Sequence, residues 1–197
     1  LAAGKSERFK GIKQLAVINN TSMLNLSINK LQSIKCGNIY VALGANIEKI
    51  LNSLPLDVIP IVSPNCHLGL GHTISDVITK LENTCEHILF CPADQILIPE
   101  THYKQLITAS LSSPDKIIAT LSNKKYMAPA IFPKKYFQDL INLKGDKGAG
   151  ILFKTYRSEI LPVSCEQAKF DIDTQEDYLT LKHKLEQDLK NNQPEQV

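Results

Sequence analysis

Leu1-Ala-Ala-Gly-Lys-Ser-Glu-Arg-Phe-Lys-Gly-Ile-Lys-Gln-Leu15 is the stretch on which the fold turns. Its first three residues are small and apolar, as in a buried strand. Gly4 then turns the chain out of that strand, and Glu7 to Lys13 show no helical periodicity. The result is a loop rich in glycine and cations, with Lys5, Ser6, Arg8, Lys10, Gly11 and Lys13 in close succession. Such a loop suits a polyphosphate: its glycines let backbone N–H groups come close, and its cations neutralise charge. A solvated basic turn is the plain alternative, because short Gly/Lys loops are weak motifs on their own. The strand pattern is already under way at Leu1, so a few preceding residues are expected.

Working outward, apolar segments alternate in length and period. Met23, Leu24, Leu26, Ile28, Leu31 and Ile34 recur at helical spacing after an N-cap in Asn19–Ser22, and Gly37 is the expected stop. Ile39–Leu43 reads as a strand, Asn46 as the cap of a short helix, and Val58–Val62 as a strand whose Pro60 points to an edge. Ser63–Gly71 reads as a loop and Thr73–Leu81 as a helix. His87–Cys91 follows as a strand, Pro99–Leu111 as a helix, Lys116–Leu121 as a strand, and Met127–Phe132 as a strand or apolar connection. Helices are expected over Pro133–Leu143 and about Ala149–Tyr156, and short strands at Ile160–Val163 and Phe170–Asp173. Thr174 caps a last helix that bears Tyr178, Leu181 and Leu185.

Alternation of this kind predicts an α/β fold, a mostly parallel mixed sheet covered by helices on both faces in three layers. One domain is expected over 1–190, with a polar, disordered tail over 191–197. Ligands of such sheets gather at the C-terminal strand ends. Three polar clusters fall there: the opening loop, Asp94 after His87–Cys91, and Asp171/Asp173.

The totals narrow the function. Of 197 residues, 43% are hydrophobic and 21% charged, and Lys+Arg 22 against Asp+Glu 20 leaves a net charge of +2. That balance argues against nucleic acid or an anionic membrane as partner. No apolar run reaches the roughly 18 residues of a membrane span. Five cysteines without tight pairing suggest reduced thiols and a cytoplasmic protein, with Cys36 and Cys91 as small core residues.

Asp94 ends a buried strand, in Leu89-Phe-Cys-Pro-Ala-Asp94-Gln95. With Asp171 or Asp173 it offers the one or two carboxylates that Mg²⁺ takes when substrate phosphates complete its shell. Alone, Asp94 reads rather as a turn residue or helix N-cap, and Asp171-Ile-Asp173 as the lead into a well-capped helix. Asp173 is the better metal candidate. Gly4-Lys5-Ser6 echoes the end of a P-loop, but no helix follows. Cys66, His67 and His72 lack a second pair at zinc spacing, a cysteine nucleophile lacks partners, and a two-carboxylate glycosidase leaves the basic loop idle.

Taken together, these residues resemble the MobA-like NTP transferases. Leu1-Ala-Ala-Gly4-x-Ser6-x-Arg8-Phe9…Lys13-x-Leu15 is similar to their nucleotide-binding signature, and its Ala-Ala-Gly form resembles the molybdenum cofactor cytidylyltransferase branch. Further similarity lies in Val41-Ala-Leu-Gly44-Ala45, Asn65…Gly69-Leu-Gly71-His-Thr73, Ala93-Asp94-Gln95, Ala128-Pro129-Ala-Ile-Phe132, Gly145-Asp-Lys-Gly148-Ala149 and Asp171-Ile-Asp173-Thr174-x-Glu176-Asp177. The chain departs from the pattern at Lys10, where a glycine is usual, at His72-Thr73 for Ser-Ser, at Ile96-Leu97 for the proline, at Ala128 for glycine and at Gln175 for proline.

The resemblance implies a Rossmann-like nucleotidyltransferase that moves CMP from CTP to the phosphate of a molybdopterin-type cofactor, serving a xanthine-dehydrogenase-type molybdenum hydroxylase. It implies nucleotide binding by Leu1, Ala2, Ala3, Gly4, Lys5, Ser6, Arg8, Lys13, Gly71 and Thr73, with Ala3 favouring cytosine. Arg8, Lys13 and Asp94 take catalytic roles, and Asp94 and Asp173 hold Mg²⁺. The rivals are another NTP or a sugar or polyol phosphate acceptor, a non-catalytic carrier of the cofactor, and a regulator without ligands.

Overall fold

The structure, a computed structural model, describes residues 1–191. The opening residues lie at the centre of a sheet. Ala2 N–H donates to Ala42 O (3.0 Å) and Ala45 N–H to Ala3 O (3.2 Å), while on the other side Ala93 N–H donates to Leu1 O (3.2 Å). Residues 1–3 therefore join two groups of strands into one. The strands are β1 (Val17–Ile18), β2 (Thr21–Ser22), β3 (Tyr40–Leu43), β4 (Ile59–Val62), β5 (His87–Phe90), β6 (Ile117–Ser122), β7 (Lys125–Pro133) and β8 (Ile160–Ser164). The joined sheet runs β4-β3-(1–3)-β5-β7-β6-β8, with β1 and β2 paired apart.

Only β7 runs against the rest, since it pairs antiparallel with both β5 and β6, whereas β3 pairs parallel with β4 and β6 with β8. The cause is local. Asn123 and Lys124 both have positive φ, 46° and 61°, and turn β6 directly back into β7. The mostly parallel mixed sheet is thus as expected, and Pro60 does sit on the edge strand β4, where its missing N–H costs no ladder bond.

The helices are α1 (Met23–Ile34), α2 (Ile47–Leu51), α3 (Leu70–Leu81), α4 (Glu100–Ser112), α5 (Phe137–Ile141), α6 (Gly150–Thr155) and α7 (Gln175–Asn191). Strand alternation sorts them into layers. Ile117, Ala119, Ala130 and Phe132 pack with Ile74 of α3, Phe137 of α5 and Phe153 of α6. Ile118 and Ile131, one residue out of phase, pack with Tyr103 and Leu106 of α4, and Leu31 of α1 joins them. Val41 and Leu43 likewise face α1 and α2, while Ala42 faces Val77 and Leu81 of α3. Helix α7 closes a separate cluster in which Leu181 meets Phe9, Ile18, Met23 and Ile172.

Several boundaries differ from expectation for local reasons. Helix α3 begins at Leu70, not Thr73, because Gly69 makes the turn at φ 115°, where a Cβ would lie 2.4 Å from the backbone of Gly145. Lys35, at φ 54°, ends α1 ahead of Gly37. Ser22 caps α1 as expected, accepting from Asn25 N–H at 3.2 Å. Asn46 precedes α2 at φ 57° without a side-chain cap.

The helix expected from Pro133 is shorter: β7 extends through Pro133, paired with His87, and a 3-10 turn precedes α5. Phe170–Asp173 is not a strand. It follows a 3-10 turn, and Ile172 inserts into the core at 3% exposure while its N–H reaches Asp94 O (3.4 Å). Cys36 is exposed rather than in the core, and Cys91 is half-buried, its thiol pushed up to about 12 chiefly by burial. The described part of α7 ends at Asn191, and the rest of the expected tail, 192–197, lies outside the described residues.

Candidate functional site

The opening loop is held from inside by Gln14, which is 5% exposed. Its Nε2 donates to Ala2 O (2.9 Å) and Gly4 O (3.0 Å), and its Oε1 accepts from Ser6 Oγ (3.1 Å). Ser6 Oγ in turn accepts from Lys13 N–H (3.3 Å). Phe9, buried at 3% exposure, anchors the outer limb edge-on to Tyr178 of α7, with ring centroids 5.7 Å apart. Between these anchors Ser6 and Lys10 both adopt left-handed backbone, φ 58° and 54°. That explains the glycine usual at position 10. A lysine there carries a steric cost of about 1 kcal/mol.

The loop walls one side of a cleft of about 630 Å³ at the C-terminal end of the central strands. Residues 1–6, Arg8 and Lys13 line it, and Gly69, Leu70 and Thr73 from the start of α3 face them. Asp94 and Asp173 form its floor. Every nucleotide-binding, catalytic and metal candidate read from the sequence therefore reaches this cleft except Gly71 and Asp171, the alternative to Asp173 as a metal carboxylate. Gly71 is buried instead. Its N–H donates to Gly145 O (2.8 Å), and a Cβ would meet Lys147 O at 2.8 Å, so it packs α3 against the 144–148 loop.

Four charges meet at the floor. Lys13 Nζ lies 2.7 Å from Asp94 Oδ2 and 3.0 Å from Asp173 Oδ1, and Arg8 Nη2 lies 2.9 Å from Asp173 Oδ2. Burial alone would lower the Lys13 pKa, but the charges and hydrogen bonds of Asp94 and then Asp173 hold it above its usual value. Asp171 does not line the cleft. Its carboxyl is nevertheless held above the usual range by desolvation and by the charges of Asp94 and Asp173, against a hydrogen bond from Gln95.

Asp173 is placed by the start of α7. Asp177 accepts from Thr174 N–H (2.8 Å) and Asp173 N–H (3.1 Å), and its own N–H donates to Thr174 Oγ1 (3.1 Å). This reciprocal cap fixes the backbone from which Asp173 reaches Lys13. Outside the cleft lining, Asp76 accepts from Ser63 Oγ (2.6 Å) and from Asn65 N–H and Nδ2 (3.1 and 3.0 Å), which binds the Ser63–Asn65 loop to α3.

The fit to a divalent ion can be read from this floor. Two carboxylates from distant segments already converge on a single cation, the Lys13 ammonium. Among the described residues no group of three or more His, Cys, Asp or Glu is arranged for a metal. Two carboxylates with phosphate oxygens completing the shell is the Mg²⁺ or Mn²⁺ pattern, so the donor set fits. Cys66 and His67 line the cleft but form no such cluster.

Sequence reading missed Gln14 and Asp146, which also lines the cleft. A polar residue between Lys13 and Leu15 was the available signal for Gln14. Among the described residues, no helix is long and apolar enough to cross a membrane.

Comparisons with known proteins bear on the fold and the family. The family model described as MobA-like NTP transferase domain matches residues 1–160. No curated protein matches the sequence. Among solved structures, Rv0371c from Mycobacterium tuberculosis is 20% identical, with 92% of this chain and 94% of that chain covered and a TM-score of 0.79. A second structure of it, in complex with manganese, is 19% identical over the same shares with a TM-score of 0.73. A 4-diphosphocytidyl-2C-methyl-D-erythritol synthase from Anaerococcus prevotii is 15% identical over 94% and 93% at 0.73. Molybdopterin-guanine dinucleotide biosynthesis protein A from Archaeoglobus fulgidus is 10% identical over 94% and 96% at 0.70. At these identities the structural likeness speaks for the fold.

Proposed function

This chain belongs to the MobA-like NTP transferase family, a nucleotidyltransferase family, and on that premise we propose that it transfers CMP from CTP to the phosphate of a molybdopterin-type cofactor. One observation carries the reading: two acids and two cations converge beneath a glycine-containing loop in a cleft large enough for a nucleotide. An acceptor phosphate oxygen attacks the α-phosphorus, the bond to the bridging oxygen breaks, and pyrophosphate leaves with the electron pair. The protein supplies position and charge. Residues 1–6 receive the nucleotide, with Ala3 towards the base, and Lys13 and Arg8 neutralise the departing pyrophosphate. Thr73 borders the nucleotide from α3.

Asp94 and Asp173 would hold Mg²⁺, which supplies further neutralisation of phosphate charge. A cytoplasmic setting and a xanthine-dehydrogenase-type hydroxylase as recipient belong to the same reading. The test is pyrophosphate release with CTP, GTP, ATP and UTP, each with and without molybdenum cofactor. Release with CTP and cofactor is expected, and release that ignores the cofactor would overturn the acceptor. Ala128 and His72, which depart from the family pattern, favour one second reading, a different acceptor such as a sugar or polyol phosphate.

A further inference from the structure

The place between the two floor carboxylates is taken by the chain's own side chain. We propose that Lys13 is a removable latch: its ammonium closes Asp94 and Asp173 to divalent ions until the phosphates of a nucleoside triphosphate draw it away, so that metal and nucleotide load together. The inference rests on the transferase reading and adds an order of events to it.

The geometry is that of competition. Nζ engages Asp94 Oδ2 and Asp173 Oδ1 at 2.7 and 3.0 Å, so both oxygens are directed at one cation. A dication on the same oxygens would stand within about 4 Å of the ammonium, where like charges repel strongly. The backbone of Lys13 is fixed by Ser6 Oγ and by its 3-10 turn, so release needs only the side chain to swing. The cleft gives it somewhere to go, because Lys13 lines the same space as Gly4 and Lys5. Arg8 is 73% exposed and bonds the other oxygen of Asp173, Oδ2, so it leaves Oδ1 to Lys13. Two cations offset the charge of the two acids they touch, which weakens the field that would draw a metal in alone.

The test is Mn²⁺ binding to the full chain, measured by calorimetry and by the free-ion paramagnetic signal. Without nucleotide, Lys13→Met is expected to bind Mn²⁺ at least about tenfold more tightly than the parent chain, about 1.4 kcal/mol. Lys13→Gln removes the charge but keeps a polar side chain, which guards against misfolding, and it is expected to gain in the same direction. CTP added to the parent chain is expected to raise Mn²⁺ affinity by a similar factor. Asp94→Asn in the Lys13→Met background is expected to cancel the gain. Equal Mn²⁺ affinity in the parent chain and both Lys13 variants overturns the latch, as does a gain that survives Asp94→Asn. Thermal shift of the parent chain by CTP with Mg²⁺ separates the two readings. A shift with no effect of Lys13 on Mn²⁺ refutes the latch alone, and no shift by any NTP refutes the transferase reading and the latch with it.

Discussion

Replacing Gln14 by leucine tests whether the opening loop is built for its task or only happens to lie beside the cleft. The change keeps size and burial but removes three hydrogen bonds, to Ala2 O, to Gly4 O and from Ser6 Oγ. At about 1 kcal/mol each, the loss is about 3 kcal/mol, and the apolar side chain returns about 1 by burying better than an amide. A net destabilisation of about 2 kcal/mol is expected from urea unfolding at pH 7.5. The larger effect is expected on the ligand. Ser6 loses the partner that holds its left-handed turn, and Lys13 N–H depends on that same Ser6 Oγ. Nucleotide affinity, read by thermal shift or calorimetry with CTP and Mg²⁺, is expected to fall at least about tenfold, the equivalent of 1.4 kcal/mol. Gln14→Glu keeps the acceptor but loses both donated bonds, and it is expected to fall alongside. Stability within about 0.5 kcal/mol of the parent and unchanged CTP affinity would refute the claim that Gln14 organises the loop.

Other changes have equally definite expectations. Lys10→Gly relieves a left-handed residue at φ 54°, and it is expected to be more stable than Lys10→Ala by about 0.5–1 kcal/mol in paired urea melts, the reverse of the usual order. Asp94→Ala and Lys13→Ala are each expected to reduce pyrophosphate release at least about a thousandfold while far-UV circular dichroism stays native, and near-parental turnover in either would remove the assigned roles. His102 is buried, with Nε2 2.8 Å from Thr120 Oγ1, and burial holds its pKa below the ordinary 6.5 against a raising contact from Gln105. The unfolded chain then takes the proton first, so this stability is full above pH 6.5 and declines as pH falls below it. His102→Gln is expected to flatten the urea midpoint between pH 6.5 and 5, and parallel profiles would contradict the assignment.

Sequence alone determined the features that depend on near neighbours. Hydrophobic period and turn residues sufficed for most elements, because a helix or strand is set by residues a few positions apart. The opening loop, Asp94 and the Thr174 cap were legible for the same reason. Tertiary structure decided what depends on which strands become neighbours. Lys13 meets Asp94 and Asp173 across 81 and 160 positions of sequence, a contact no local pattern encodes. Gly71 carries a binding-loop pattern yet packs against the 144–148 loop, and Phe170–Asp173 has strand composition yet joins no sheet, because Ile172 is drawn into the cluster of Phe9, Met23 and Leu181. The opening stretch itself shows the division. Its residues announce a phosphate loop, but only the assembled sheet brings its lysine to rest between the two acids, because charges settle on the partners that packing brings within reach.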